Sequence, residues 1–573
     1  MKRVLFFLLL AAVSCAPKDG EYTFRILSTN DVHGRYFDAE YVNDGIRNSL
    51  ITAAWYVDSI RTTAGKENVV LLDDGDFLQG DNAAYYFNYV DTQTKHLFAR
   101  MAEYIGYDAV VVGNHDVETG HAVYDRLAKQ LKMPLLAANA INKNNGKSYF
   151  QEYVILRRNG LKLALIGFTN PGIPGWLSEE LWSGMEFREL IPYAQEVVDR
   201  VRAEEKPDVV IVAVHGGAGP VDYKVMENPG MALFGTLNGV DLLFCAHDHR
   251  PVVHDADSIA MVNAGSHCKL LGEGIVNVTV KDGKVVAKSS DARLIPMSPD
   301  KADVQMRKAF EQDYEAVKAF TLREVGELKL PLRTADAYCG MSAYLNLLHT
   351  LSLQSTGAQI SVAAPLTYNG SVEAGTLIYN DLFTIYPFEN QLYVMSMTGA
   401  EIKNLLEYSY ENWIYTYAGP NANLLKIRAN PGSKNWSFAA PSYNFDSAAG
   451  INYVVDVTKP YGSRITIMSM ADGSPFDEAE TYSVAMTSYR ANGGGALLKE
   501  GAGLDADAAA ARITARYPEI REILYDFILE HKTIDEELIS RNHLIGNWKF
   551  IPETLAQEAM SKDMSLLFGA EQP

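Results

Sequence analysis

Apolar positions along the chain gather in short blocks that stop abruptly. FRILST (24–29), NVVLL (68–72), DAVVV (108–112), DVVIVAV (208–214) and DLLFCA (241–246) are runs of Val, Ile, Leu and Phe. They are short for helices and lack the alternation of a strand with one wet face, so they predict strands buried on both sides. Around 93–105, 120–132 and 192–205, apolar residues recur instead at helical spacing. Strand and helix in alternation predict an α/β domain over residues 22–300.

The pattern changes after residue 300. Residues 301–320 are strongly charged, with Val304, Ala309, Phe310, Tyr314 and Val317 at helical spacing. They predict one connecting helix, placed at 301–325. Beyond LKLPL (328–332), helices are predicted around 341–354 and 400–409. Strands are predicted at 359–364, 391–399, 452–458, 464–470 and 482–487. This is the pattern of an α+β domain over 326–555, followed by a tail at 556–573.

Each buried block of the first domain ends in metal-binding residue types. The blocks run into Asn30-Asp31-Val32-His33-Gly34, Asp73-Asp74-Gly75-Asp76, Gly113-Asn114-His115-Asp116, His215-Gly216-Gly217 and His247-Asp248-His249. In α/β sheets, ligands bind beyond the carboxyl ends of the strands. Five strand ends would bring Asp31, His33, Asp76, Asn114, His215, His247 and His249 to one place. Imidazole, carboxylate and amide donors suit Zn, Mn, Fe or Co. Seven donors exceed what one tetrahedral ion takes, so the set predicts two divalent ions sharing a carboxylate. Such ions lie about 3.5–4 Å apart and clamp both oxygens of an in-line displacement.

Composition narrows the partners. At ~150 residues per domain, 573 residues suggest three to four units or fewer large ones. Hydrophobic content of 47% and charged content of 21% exclude a disordered or fibrous chain. Lys and Arg number 51 against 71 Asp and Glu, a net charge of −20. That acidity argues against nucleic-acid polymers but leaves small phosphorylated substrates open. Four cysteines make no disulfide framework. Cys245 and Cys268 could bridge in an oxidising compartment; otherwise they are buried thiols.

Lys2-Arg3, the apolar run 4–13 and Ser14-Cys15 read as an export signal, with residues 1–21 as signal and tether. A cysteine directly after the run resembles the lipobox of bacterial lipoproteins, which would make Cys15 the acylated N-terminus. Ordinary cleavage after Ser14 is the alternative. No later stretch has 18 uninterrupted apolar residues, so no transmembrane helix is expected. The expected location is the periplasm or cell surface, with a lipid anchor in the outer membrane as the only membrane contact. No protein partner is implied.

NDVHG, GDFLQG, GNHD, HGG and AHDH, in that order, resemble the calcineurin-like metallophosphoesterases. More narrowly, they resemble the 5′-nucleotidase and 2′,3′-cyclic-nucleotide phosphodiesterase group. The resemblance implies a sandwich of two β-sheets flanked by helices, joined to a nucleotide-binding domain. It implies Asp31, His33 and His249 on a first metal, Asn114, His215 and His247 on a second, and Asp76 as the bridge. It makes His115 the catalytic imidazole, oriented by Glu118 where relatives often have Asp. In YPFEN (386–390) and SYRANGGG (488–495), it implies Phe388 and Tyr489 as two faces stacked on the base, with Asn390 hydrogen-bonding it.

Within that group, the 5′-nucleotidase branch carries a ribose-binding aspartate where this chain has Gly495. AAPLTYNG (363–370) also lacks the Asn…Gly-Gly-x-Arg pattern of that branch, and YNFD (443–446) looks more like the cyclic-phosphodiesterase branch. A carboxylate there would repel a phosphate on the 2′ and 3′ oxygens, whereas glycine leaves room. The resemblance therefore implies opening of nucleoside 2′,3′-cyclic phosphates and removal of the 3′-phosphate, releasing nucleosides for salvage. A 5′-nucleotidase or UDP-sugar hydrolase is the alternative enzyme. A catalytically inactive nucleotide-binding lipoprotein is the alternative from another class.

Overall fold

The computed structural model describes residues 17–569 apart from 44, 220–226, 257–258, 431, 433 and 541. The export signal and Cys15 therefore lie outside the described residues. The chain divides into two compact units. The first contains the chain up to Gly172 and Trp182–Tyr314; the second contains Ile173–Leu181 and everything from Glu315.

The first unit is a sandwich of two six-stranded sheets. One runs, in spatial order, Lys284–Pro296, Leu270–Lys281, Gly20–Thr29, Val69–Asp73, Ala109–Val111 and Leu135–Leu136. The other runs Val252–Ala256, Ile259–Asn263, Leu242–Cys245, Val209–Val214, Leu161–Phe168 and Tyr153–Arg158. All five predicted strands are parallel members of these sheets. Alternation divides each strand between two cores. Ile211 and Ala213 meet Val70, Leu72 and Phe24 between the sheets. Val210, Val212 and Val214 instead face the helix Leu190–Glu205 through Ala194, Val197, Val198 and Val201. Both faces being dry is why these strands read as continuous apolar runs.

The second unit is built on a five-stranded sheet. Its order is Ser447–Ala449, Ile360–Ala363, Thr481–Thr487, Gln391–Thr398 and Ile513–Glu519. Its core is unusually aromatic, with Tyr410, Trp413, Phe445, Tyr453, Trp548 and Phe550 in one cluster. Tyr410 stacks on Trp413 at 5.0 Å, and Trp413 stacks on Phe445 at 5.5 Å.

Three expectations are corrected. The single helix expected over 301–325 is two, Val304–Ala309 and Glu311–Thr321, broken at Phe310. Ile173–Leu181 packs with the second unit although it lies inside the expected first domain. The expected tail is mostly the helix Glu553–Phe568, which buries Ala556, Ala559 and Met560. Its buried face is made of small residues and one methionine, a weak apolar stripe, so periodicity alone did not show it as a packed element. Cys245 and Cys268 are both buried and unbridged.

That last helix holds a polar anchor. The Asp563 carboxylate is fully buried and accepts hydrogen bonds from the backbone N–H of Leu424 at 2.6 Å and of Leu425 at 2.8 Å. Removing it leaves two buried donors without partners. Asp563→Ala should therefore lower the stability of the second unit by roughly 2–4 kcal/mol, read as a lower urea midpoint at unchanged m-value.

Candidate metal and phosphoester site

All five strand ends open on the same edge of the sandwich. The loop after Gly20–Thr29 carries Asp31 and His33; the loop after Val69–Asp73 carries Asp76. Asn114 and His115 begin the short helix Asn114–Glu118, and His215 and the pair His247, His249 follow their own strands. Asp31, His33, Asp76, His247 and His249 all have positive φ, between 47° and 71°. Such left-handed backbone is costly for residues with a Cβ and gathers at functional sites. Gly75 allows the loops to close: its φ is 90°, and a Cβ there would lie 2.6 Å from the His215 ring and 2.7 Å from the Gly113 nitrogen.

Two groups of ligand-type atoms converge, Asp31 with His33 and His249, and Asp76 with His215 and His247. In the first, the facing Nε2 atoms of His33 and His249 are 2.9 Å apart, and His249 Nε2 is 3.3 Å from Asp31. In the second, His215 Nε2 is 3.1 Å from both Asp76 Oδ2 and Asn114 Oδ1. Asn114 Oδ1 is also 2.8 Å from His247 Nδ1. Outer partners set the ring orientations. His215 Nδ1–H donates to the Asp74 carbonyl at 2.7 Å, and His33 Nδ1–H donates to the Gln79 carbonyl at 3.2 Å. Both Nε2 atoms then point inward.

The donor set fits divalent cations. Asp31 and Asp76 are buried to 1% exposure or less, and Asp76 Oδ2 accepts no hydrogen bond among the described residues. Inward nitrogens at about 3 Å from carboxylate and amide oxygens require positive charge between them. Protons can supply part of it. Burial opposes a charged His215, but Asp76 and Asp31 outweigh it and lift the imidazole to about 10. Burial likewise opposes the Asp76 carboxylate, yet His215 and His115 hold it well below the usual range. His33, lacking that balance, is pushed by burial down to about 4.

His115 stands beside this set without joining either group. Its Nδ1–H donates to Glu118 at 2.5 Å, so the longer acid spans the distance. Its backbone N–H donates to Asp76 Oδ1 at 2.8 Å. Burial works against its charged form, but Asp76 and Glu118 prevail and hold it at about 10. The arrangement is an oriented imidazole, with its second nitrogen turned away from Glu118 and its charge supported by two carboxylates.

Asp116 is the organiser that residue type alone left unassigned. Its two carboxylate oxygens accept from the backbone N–H groups of Gly113, Asp76, Phe77 and Leu78 at 2.8–3.0 Å. One buried side chain thus ties the Asp76 loop to the Asn114 helix. The only hint was its place three residues after Gly113.

In the second unit, Phe388 and Tyr489 are half-buried. Tyr443 contacts both rings, edge-to-face with Phe388 at 6.0 Å and with Tyr489 at 6.2 Å. Asn390 Nδ2–H donates to the Tyr386 hydroxyl at 3.3 Å. Buried Arg490 braces the loops, pairing with Asp446 at 2.6 Å and donating to the carbonyls of Tyr443 and Gly494. This bracing gives Gly495 a structural reason. Its φ is 68°, and a Cβ would collide with Asn444 and the Arg490 guanidinium. Glycine is required by packing here, and the loop has no room for an aspartate.

The family signature described as "Calcineurin-like phosphoesterase" matches residues 24–251, and "5′-nucleotidase, C-terminal domain" matches 324–500. The trifunctional nucleotide phosphoesterase protein YfkN of Bacillus subtilis is 24% identical over 95% of this chain, which spans 40% of that protein's length. Protein UshA of Yersinia enterocolitica is 25% identical over 76% of this chain and 87% of its own. A Staphylococcus aureus crystal structure assigned as a 5′-nucleotidase, with α-ketoglutarate bound, superposes with TM-score 0.75 at 20% identity. It covers 92% of this chain and 99% of its own and shows the shared fold.

Asp116→Asn should turn an amide N–H₂ toward backbone donors and loosen the two loops. Outer partners of metal sites typically carry 10–100-fold of affinity. The variant should fold yet bind Mn²⁺ about 10–100-fold more weakly by calorimetry.

Proposed function

Because the chain is a calcineurin-like phosphoesterase joined to a 5′-nucleotidase C-terminal domain, we propose that it hydrolyses nucleoside 2′,3′-cyclic phosphates and 3′-nucleotides. The observation that carries the phosphoester reading is the His115–Glu118 pair beside two converging groups of ligand-type residues, one of which contains buried Asp76. We read Asp31, His33 and His249 as holding one divalent ion, Asn114, His215 and His247 as holding a second, and Asp76 as shared. When bound, such ions supply Lewis-acid polarisation of the phosphoryl group and of water.

The residues supply the rest. In the first hydrolysis a water oxygen bonds to phosphorus, the P–O2′ bond breaks, and the 2′ oxygen takes a proton. His115 would give that proton from the nitrogen turned away from Glu118, and Glu118 would hold the ring in that orientation throughout. In the second, another water oxygen bonds to phosphorus, the P–O3′ bond breaks, the 3′ oxygen takes a proton from the same His115 nitrogen, and orthophosphate leaves. Phe388 and Tyr489 would flank the base and Tyr443 would close the space between them, a stacking mode that tolerates any base. Asn390 would bond the base edge.

The absence of an acid at 495 supports the cyclic and 3′ substrates, since the loop offers no carboxylate at that position to hold free ribose hydroxyls. A second reading, 5′-nucleotide hydrolysis, is favoured by the relatives named UshA and 5′-nucleotidase. In either reading we place the enzyme outside the cytoplasm, tethered through Cys15. Among the described residues no helix is long and apolar enough to cross a membrane.

Asp76→Asn should lose both ions by elemental analysis while keeping its fold; retention of two ions at near-normal rate contradicts the shared-ligand role. His115→Ala should keep the ions and lose kcat by about 10²–10⁴-fold.

With purified protein, cyclic 2′,3′-AMP and 3′-AMP should exceed 5′-AMP in kcat/KM; the reverse order selects the second reading. Phe388→Ala or Tyr489→Ala should weaken nucleotides by roughly 1–3 kcal/mol per stacked face, seen in KM, and leave a small aryl phosphate unaffected.

A further inference from the structure

His267 has no part in either group of converging ligand atoms, yet the fold brings it to their edge. It lies in the turn after the strand Ile259–Asn263. Its backbone N–H donates to the Asp31 carbonyl at 2.8 Å, which fastens the turn to a ligand-bearing loop. Its φ is 60°, and that of Cys268 is 53°. Two successive left-handed residues that are not glycine carry a conformational cost that surrounding structure must sustain.

The ring lies 5.5 Å from His33 and 6.1 Å from His249, centroid to centroid. His33 is therefore flanked by two imidazoles outside the ligand groups, His115 at 5.4 Å and His267 at 5.5 Å. Ser266 Oγ lies 2.9 Å from His267 Nδ1. With the hydroxyl donating there, Nε2 carries the hydrogen, and it has no partner among the described residues. Arg35 and Lys269 are the positively charged side chains acting on the ring. The Arg35 guanidinium makes no hydrogen bond among the described residues, although the Asp81 and Glu40 carboxylates also act on it. A half-buried N–H donor, held by a strained turn beside a metal-type site and under positive potential, suits an anionic oxygen.

We propose that His267 contacts the substrate, its Nε2–H donating to a non-bridging oxygen of the phosphoryl group being transferred. His267 and His115 then act on different oxygens, one on the phosphoryl group and one on the leaving group. The contact strengthens as negative charge develops on the phosphoryl oxygens. This rests on the phosphoesterase reading of the two ligand groups.

The test uses His267→Gly, which keeps the left-handed backbone, and His267→Asn, a residue tolerant of it. Metal content, melting temperature, affinity for inorganic phosphate and kcat are measured on the metal-loaded protein. Both variants should keep wild-type metal content and melting temperature. Phosphate Kd should rise about tenfold, and kcat should fall about 10²-fold. Added imidazole should partly restore kcat in His267→Gly. Unchanged phosphate affinity with metals retained overturns the contact. Loss of metal in both variants also overturns it, because His267 would then support ligands rather than substrate. A wild-type protein that binds neither metal nor phosphate would instead overturn the underlying reading, a result independent of position 267.

Discussion

Two carboxylates, Asp31 and Asp76, are enclosed almost completely between strand ends and need positive charge beside them. An isolated buried carboxylate is prohibitively costly, and here two more acids crowd the same region. Asp73 and Asp74 are both buried, and neither oxygen of Asp74 accepts a hydrogen bond among the described residues. Burial pushes both of these carboxyls far above their ordinary range, toward the neutral form. Asp31 and Asp76 stay ionised because imidazoles surround them. The site is therefore a trap for positive charge, and the left-handed ligand backbones, the Asp116 brace and the close approach at Gly75 are what hold it shut.

That architecture explains what could be read from residues alone. The five strands were legible because burial on both faces writes a continuous apolar run, and the converging ligand-type residues were legible because each run ends in them. Position in the chain carried less for residues that act through other chain segments. Asp116 works through four backbone N–H groups, which no side-chain pattern advertises. Tyr443 lies 55 residues from Phe388 in sequence but meets both Phe388 and Tyr489 edge-to-face in space. The helix Glu553–Phe568 has only a faint apolar stripe and is held in part by one acid, Asp563, acting on a remote turn. Ile173–Leu181 leaves its surrounding domain through a loop of Pro and Gly that marks a turn but not a destination.

Gly495 shows how one residue can invite two explanations. As a missing aspartate it speaks to the substrate; in the fold it answers to Asn444 and Arg490. The packing reason is sufficient for the glycine, and the consequence for the ligand follows from it rather than the reverse. The same Arg490 fixes Tyr443 and Gly494 through their carbonyls, so the aromatic surface of the second unit depends on one buried ion pair with Asp446, much as the first unit depends on Asp76.

The most direct measurement of the central claim is the anomalous scattering of crystals grown with Mn²⁺. The account predicts two separate peaks, one within reach of Asp31, His33 and His249, the other within reach of Asn114, His215 and His247, with Asp76 contacting both. A single peak, or two peaks of which Asp76 touches only one, would contradict it.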